Sequence, residues 1–349
     1  MIELWFALAA FTLTMFAVLD GWNVGAGIVH FFVGRTSRER REVVAAIGPQ
    51  WSWHEVWLIA AGGTLLLAFP SVLAIAFSGF YLALWFLLWS FVLRGMAIEL
   101  GGHIDDRMWQ AFWDFLFAAS SLLLALLLGA ALGNVLRGVP LDSTGAFSMP
   151  LFTNFDVRGR VGLLDWYTTS VALYSVIVLA AHGATYLRLR TNAMVHQRSS
   201  RLARRLWLAA LALFPAITWM TSIVRPELYL AMRQRPAAWL AVLVMAAGAV
   251  ALWSGLLQRR QLRSFAGSCA IIAGLLAGSA AGVFPVMLHS TISPEFSITA
   301  HTGATAERGL RLALLWWPAA LALALMYGVT IARGYRGRVR AAQDGREYR

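Results

Sequence analysis

Apolar runs of about 20 residues recur along the whole 349-residue chain, and this constrains the fold more than any other feature. A helix needs about 20 predominantly apolar residues to cross the hydrocarbon core of a bilayer. On that measure the spacing predicts nine spans, at 4–32, 53–70, 72–97, 112–136, 162–187, 204–224, 237–257, 264–287 and 309–332. The second and third share one long apolar region, divided only at Pro70-Ser71. The expected fold is an all-α polytopic membrane protein. No connection is long enough for a soluble domain, so any activity lies in or beside the membrane. The longest outer connection, about 138–161, holds Pro140, Gly145, Pro150 and Gly159 and reads as irregular surface chain.

Composition agrees. Hydrophobic residues make up 59% of the chain and charged residues 13%, where a soluble domain has about half and about a quarter. Many of the 16 tryptophans lie near the ends of apolar runs, where an amphipathic ring sits at headgroup level. All 29 basic residues are arginine and the net charge is +12. Such a charge would suit nucleic acid, but the arginines fall between apolar runs, so membrane topology accounts for them and no nucleic acid is implied.

One set of loops carries Arg35 through Arg41, Arg107, Arg188, Arg190, Arg198 through Arg205, Arg259, Arg260, Arg263 and Arg333 through Arg340. The opposite set carries Arg137, Arg158, Arg160, Arg225, Arg233, Arg235 and Arg308. The positive-inside rule then places the N-terminus outside and the C-terminus in the cytoplasm, ending in a basic tail at 333–349. Met1-Ile2-Glu3-Leu4 lacks a basic n-region and no small-residue cleavage site precedes Asp20, so the first run is expected to remain as a helix. Cys269 is the single cysteine, which excludes an internal disulfide and a thiolate metal cluster. The sequence has no G-x-x-x-x-G-K-[ST], H-E-x-x-H or G-x-S-x-G, which removes support for soluble nucleotidases and hydrolases.

Ionisable groups inside a membrane are costly unless paired or hydrated, so they are the candidate functional residues. In the first span Asp20, Asn23 and Gly27 lie three and four residues apart and share a helix face. Gly21 and Gly25 form a small-xxx-small pair suited to close helix contact. Two readings fit: a packing seam with one hydrogen-bonded carboxylate, or an element of a proton or ion relay. At the mouth of the second span stand Trp51, Trp53, His54, Glu55 and Trp57. His54 and Glu55 are adjacent, so they are expected to diverge and not to share a cavity, and Trp53 and Trp57 to form an interfacial aromatic face. Gly62-Gly63 suggests a second close helix contact. His30, His54 and His182 fall toward the cytoplasmic side, but there is no covalent haem motif and spacing cannot show axial ligation, so no metal site is assigned. Pro285 ends or kinks the eighth span, and residues 295–307 read as an outer loop.

Several segments together resemble subunit II of the cytochrome bd-type quinol oxidases of bacteria and archaea. Asp20-Gly21-Trp22-Asn23-Val24-Gly25-Ala26-Gly27 is similar to the family's D-G-[FW]-D-x-G-x-G. Gly48-Pro49-Gln50-Trp51, Glu55-Val56-Trp57-Leu58, Ala61-Gly62-Gly63, Phe69-Pro70 and Phe77-Ser78-Gly79-Phe80-Tyr81 follow in the family's order. Leu93-Arg94-Gly95 with Glu99, Gly133-Asn134 with Gly138-Val139-Pro140, His182 through Leu187 with Arg190-Thr191, and Phe284-Pro285 through Thr299 continue it. Each motif is weak; the collinear set is strong.

The resemblance implies two four-helix bundles plus a peripheral helix, with a first bundle in 1–136 and a second bundle with the peripheral helix in 162–332. It implies a heterodimer with a haem-bearing subunit I that carries the quinol site and haems b and d. No cofactor then resides in this chain and none of its residues is catalytic. Membrane lipid and quinone are the other partners implied, with a small single-span accessory subunit as a further candidate. The membrane carboxylates would help carry protons for reduction of dioxygen, which makes Asp20, His54, Glu55 and Glu99 the proton-pathway candidates and Gly21, Gly25, Gly62 and Gly63 the helix-packing residues.

The chain departs from the family at two carboxylate positions. The first-span motif has Asn23 in place of its second aspartate, and the family's W-D-G-N-E-V-W reads Trp51-Ser52-Trp53-His54-Glu55-Val56-Trp57. Asn and Ser do not titrate near neutrality. Either His54 or Glu55 takes over the proton role, or the chain has become structural. From other classes, a secondary transporter would need paired discontinuous helices around a midplane site, and only the Pro70 break suggests one. A third reading is a paralogue that binds a partner without serving an oxidase.

Overall fold

The computed structural model describes residues 1–157, 159–335 and 337–338; Arg158, Arg336 and the tail from residue 339, with Arg340, lie outside the described residues. The first apolar run forms α1 (Ile2–Leu19) and α2 (Gly21–Ile28), continuous through Asp20 because Asp20 keeps right-handed helical angles (φ −79°, ψ −20°). A short turn, α3 (His30–Val33), leads to α4 (Ser37–Ile47), a polar helix past the end of the span. Thr36 and Glu39 close a capping box at its start. Burial raises the Glu39 carboxyl, but the bond from Arg198 (2.7 Å) and those from the Arg35 and Thr36 amides outweigh it and hold it below its ordinary range.

The next apolar region divides twice. α5 (Trp51–Ala68) ends at Phe69, and α6 (Pro70–Gly79) leaves it at 118°. Proline favours the first position of a helix, where its missing N–H has no partner to lose. A second break at Phe80 starts α7 (Tyr81–Leu100). The expected spans 53–70 and 72–97 are therefore corrected: the short α6 completes a bent pair with α5, and the straight third span begins at Tyr81. The Pro70 break lies where expected, but hydropathy cannot show the bend because α6 is as apolar as its neighbours.

The remaining helices are α8 (Arg107–Arg137), α9 (Trp166–Arg190), α10 (Ala193–Val224), α11 (Glu227–Arg233), α12 (Pro236–Leu257), α13 (Gln261–Val283) and α14 (Glu307–Gly334). Asp106 caps α8 and Asp165 caps α9 through their side chains. α10 starts at Ala193 instead of 204. Its first turns bury Val195, Ser199 and Ala203 at four-residue spacing while Arg201, Arg204 and Arg205 point outward, a pattern that a hydropathy window discounts. After α13 a hairpin forms, with β1 (Val286–Leu288) antiparallel to β2 (Ile298–Thr299), where irregular loop was expected. Among the described residues eight helices are long and apolar enough to cross a bilayer, and the α5–α6 pair makes a ninth.

These spans pack as two four-helix groups, α1–α2 with α5, α7 and α8, and α9 with α10, α12 and α13. α14 lies at the periphery against α5 and the start of α1, where Trp5 Nε1 donates to Leu310 O (3.3 Å) and Gly328 leaves room for Trp53. The groups meet at α2 and α9. There a Cβ on Gly25 would fall 1.9 Å from Leu179 O, and one on Gly183 would fall 2.2 Å from the Gly25 carbonyl carbon. Gly21 meets Leu179 and His182 on the same seam. Gly62 and Gly63 differ: a Cβ on either meets nothing within 4 Å, so the expected close contact at that pair is not made within this chain.

Replacing Gly183 with Ala pushes α2 and α9 apart and lowers stability by about 1–3 kcal/mol, the usual cost of overpacking. Gly102→Ala, where no atom is within 4 Å of the added Cβ, serves as the control in a thermal unfolding series and leaves the midpoint near wild type. Glu39→Gln gives a pH-dependent loss. The folded carboxyl titrates below its unfolded value, so its contribution of about 0.5–1.5 kcal/mol is present at neutral pH and fades as pH falls through the folded value. Unfolding midpoints of the two proteins, separate at pH 7, should therefore converge in acid.

Candidate functional site

Four helices bring polar side chains to one buried point in the first helix group. Asp20 stands at the α1–α2 junction, Asn23 one turn on in α2, His54 and Glu55 in the first turn of α5, and Arg94 in the second half of α7. Asp20, Asn23, His54 and Arg94 are each 0% exposed, while the Glu55 side chain is 24% exposed. Arg94 Nη1 donates to Asp20 Oδ1 (3.0 Å), and its Nη2 lies 2.9 Å from Asp20 Oδ2 and donates to Glu55 Oε1 (2.5 Å). One guanidinium thus faces two carboxylates on different helices, and its planar fork of donors serves both.

Asn23 extends the network. Its amide nitrogen donates to Asp20 Oδ1 (3.0 Å) and lies 2.7 Å from His54 Nδ1. With both amide hydrogens so used, His54 Nδ1 accepts, and the neutral ring carries its proton on Nε2. The expectation that His54 and Glu55 cannot share a site is corrected. Neighbours on a helix diverge by about 100°, not 180°, and α5 lies beside α1–α2 so that His54 reaches Asn23 while Glu55 reaches Arg94. Around the point, Trp22 meets His54 edge-on (4.7 Å) and stacks on Tyr186 (5.1 Å). Several buried polar atoms here have no partner among the described residues: Asn23 Oδ1, His54 Nε2, Arg94 Nε and the indole nitrogens of Trp22 and Trp57.

The charge count decides what the cluster can do. Two ionised carboxylates against one guanidinium leave one excess negative charge in an interior where charge is expensive, and one bound proton cancels it. Asp20, Glu55 and His54 are thus linked through Arg94 and Asn23 into one hydrogen-bonded group. Glu55 is the member that reaches the surface of the chain.

Other residues expected at the site lie elsewhere. Glu99 is exposed and accepts from Trp51 Nε1 (3.0 Å), one turn beyond the network. Ser52 is exposed. Trp57 is 2% exposed, packed on Phe11 and Trp53, and so belongs to the core instead of an interfacial face. His30 bonds Asp114 (2.9 Å), which also accepts from Arg40 (2.5 Å), near the arginine-rich end of α8. Both ring nitrogens of His182 are engaged, by Val18 O (3.0 Å) and Ser268 Oγ (2.8 Å), which leaves neither for a metal. At the opposite end of the molecule Arg137 pairs with Asp165 and bonds Asn134 Oδ1 (2.6 Å), so the Gly133-Asn134 and Gly138 segment organises the connection between α8 and α9. Gly138 sits at φ +106°, where a side chain would be strained. Arg94 is the member of the cluster that site assignment from sequence leaves out; its signal is an arginine within the last turn of the expected third span, 72–97.

The sequence model of cytochrome bd terminal oxidase subunit II matches residues 1–333. The cytochrome bd-I ubiquinol oxidase subunit 2 of Escherichia coli K12 is 35% identical over 211 residues, 60% of this chain. The chain spans about half the length of that relative, 54%. A probable cytochrome oxidase subunit 2 of Haemophilus influenzae is 28% identical over 354 residues, with 93% of this chain and 92% of that protein covered. Among solved structures, the bd oxidase from Geobacillus thermodenitrificans shares the fold, with a TM-score of 0.73 over 96% of this chain and 98% of the matched chain at 15% identity. The chain belongs to the cytochrome bd terminal oxidase subunit II family.

Proposed function

We propose that this chain is the non-haem subunit II of a membrane quinol:oxygen oxidoreductase of the respiratory chain. The family match over residues 1–333 carries the reading. In it, a haem-bearing subunit I holds haems b and d and the quinol site, and this chain supports that partner as the other half of a heterodimer. A small single-span accessory subunit, membrane lipid and quinone complete the surroundings. The arginine distribution supports an N-terminus outside and a C-terminus in the cytoplasm. The two helix groups support a division into a first bundle at 1–136 and a second bundle with the peripheral helix at 162–332, although α14 itself leans on α5 of the first. At Gly62 and Gly63 of α5 an added Cβ meets nothing within 4 Å among the described residues, which suits close approach of a partner helix.

Within this reading, Asp20, Asn23, His54, Glu55 and Arg94 take up and hold a proton on the way to the oxygen-reducing site in subunit I. Glu55 is the exposed member and receives it; Asp20 and His54 share it through Arg94 and Asn23. Glu99, outside the network, serves at most as an outer acceptor beside Trp51. A secondary transporter is not favoured: among the described residues only α5–α6 forms a bent broken pair, and an inverted-repeat transporter needs a second.

A reduced-minus-oxidised spectrum of the native complex tests the assignment. The complex should show haems b and d and this chain alone should show none; a native complex without them overturns the reading. Glu55→Gln and His54→Ala, made separately in the assembled complex, test the relay. Each is expected to lower quinol oxidase turnover by about 10²-fold, the lower end of the cost of losing a proton-transfer group. Full turnover in both variants would leave the cluster a purely structural role. Arg94→Gln leaves Asp20 and Glu55 buried without their counter-charge and should cost about 3–5 kcal/mol of stability in thermal unfolding.

A further inference from the structure

α9 and α10 run antiparallel, and Trp207 Nε1 of α10 donates to Thr185 Oγ1 of α9 (3.0 Å). Three residues toward the arginine-rich end from each of these lie Arg188 and Arg204, which places both at one depth on facing helices. Arg188 is 4% exposed, yet its side-chain bonds among the described residues go to two neutral oxygens, Ser264 Oγ (3.0 Å) and Gly255 O (3.4 Å). Ser264 N in turn donates to the carbonyl of Arg260 (3.1 Å), so the α12–α13 turn with Arg260 and Arg263 closes over the same point. The residue at the matching depth on α10 is another cation, Arg204.

Among the described residues no carboxylate answers this charge. None of the ion pairs among the described residues involves Arg188, Arg204, Arg260 or Arg263. Neither 166–226 nor 228–294 contains a single Asp or Glu. On the same side Glu39 is bonded by Arg198 and Glu42 by the Asn192 amide. Loop arginines alone would satisfy the positive-inside rule, but that rule does not account for one buried between helices with a second cation at the same depth on the neighbouring helix. Exposed apolar side chains border the arginines: Leu208 (51%) one turn past Arg204, and Leu257 (66%) and Leu262 (68%) on either side of the α12–α13 turn.

We propose that Arg188, Arg204 and Arg260 form a site for the phosphate of an anionic phospholipid, seated where α9, α10 and the α12–α13 turn meet at the arginine-rich membrane surface. The headgroup phosphate supplies the counter-charge that Arg188 lacks, and the acyl chains run down over Leu208, Leu257 and Leu262. Basic pockets between membrane helices bind anionic lipid headgroups in this way. A lipid is the occupant, rather than free phosphate, because the arginines sit above an apolar face that only a molecule with acyl chains would cover.

The full chain in its native complex, stripped of lipid in detergent, is titrated with phosphatidylglycerol and with phosphatidylcholine, with bound lipid counted by native mass spectrometry. Phosphatidylglycerol should bind at least about tenfold more tightly than phosphatidylcholine. Arg204→Gln and Arg260→Gln alter exposed side chains and so leave folding intact; each should weaken phosphatidylglycerol binding about fivefold. Arg38→Gln removes the same charge from α4, away from the site, and should change binding less than twofold. Equal binding of the two lipids overturns the proposal, and so does an Arg38→Gln effect as large as that of Arg204→Gln. Displacement of the lipid by excess inorganic phosphate would overturn the lipid as occupant.

Discussion

Arg94 carries a permanent positive charge into the apolar interior, and the first helix group is arranged around that fact. Desolvating a guanidinium is expensive, and only well-placed acceptors offset the cost. The two that do so come from different helices, Asp20 from the α1–α2 junction and Glu55 from α5, while Arg94 itself belongs to α7. None of these contacts is local in sequence. Once α7 is placed, the depth and rotation of α1–α2 and α5 follow, since a displacement of either by a single turn would strand a buried charge. The same requirement explains why α5 must begin at the membrane surface: Glu55 reaches Arg94 while part of its side chain remains exposed.

The second constraint is the seam between Gly25 and Gly183. There the two helix groups touch backbone to backbone, closer than any side chain permits. Close approach of this kind is how helices associate in lipid, where apolar side chains gain little by leaving the hydrocarbon. Because Gly25 lies one short step along α2 from Asp20 and Asn23, the seam and the charged cluster share a helix. Trp22, between them, turns toward His54 on one side and stacks on Tyr186 of α9 on the other. The packing of the two halves and the polar network are therefore not separable features.

The spans were legible because bilayer thickness imposes a length that hydropathy measures directly. What hydropathy could not show was direction. α6 is apolar and helical, so only the 118° bend reveals that it does not extend the third span. The start of α10 was hidden for the opposite reason, because its arginines mask a buried stripe. At the site, residue types pointed to Asp20, His54 and Glu55, yet their convergence depended on the azimuth of α5 about α1, which no local pattern encodes. Glu99 had the same chemical credentials and lies outside. Gly62-Gly63 offers small residues as Gly21 and Gly25 do, yet an added Cβ there meets nothing within 4 Å among the described residues. Pattern identifies residues able to make a contact; only the arrangement of helices decides which do.

Asn23 sharpens that point. The family pattern has a carboxylate at this position, and its replacement looks at first like the loss of a proton carrier. In the structure the amide supplies two N–H donors that a carboxylate does not have, one to Asp20 and one toward His54. A third carboxylate would also raise the excess negative charge beside Arg94 from one to two, in surroundings that resist even one. Asn23 therefore limits the charge and brings a titratable imidazole into the network. In the proposed relay the protonatable group missing at position 23 is the His54 imidazole, linked to Asp20 through the Asn23 amide.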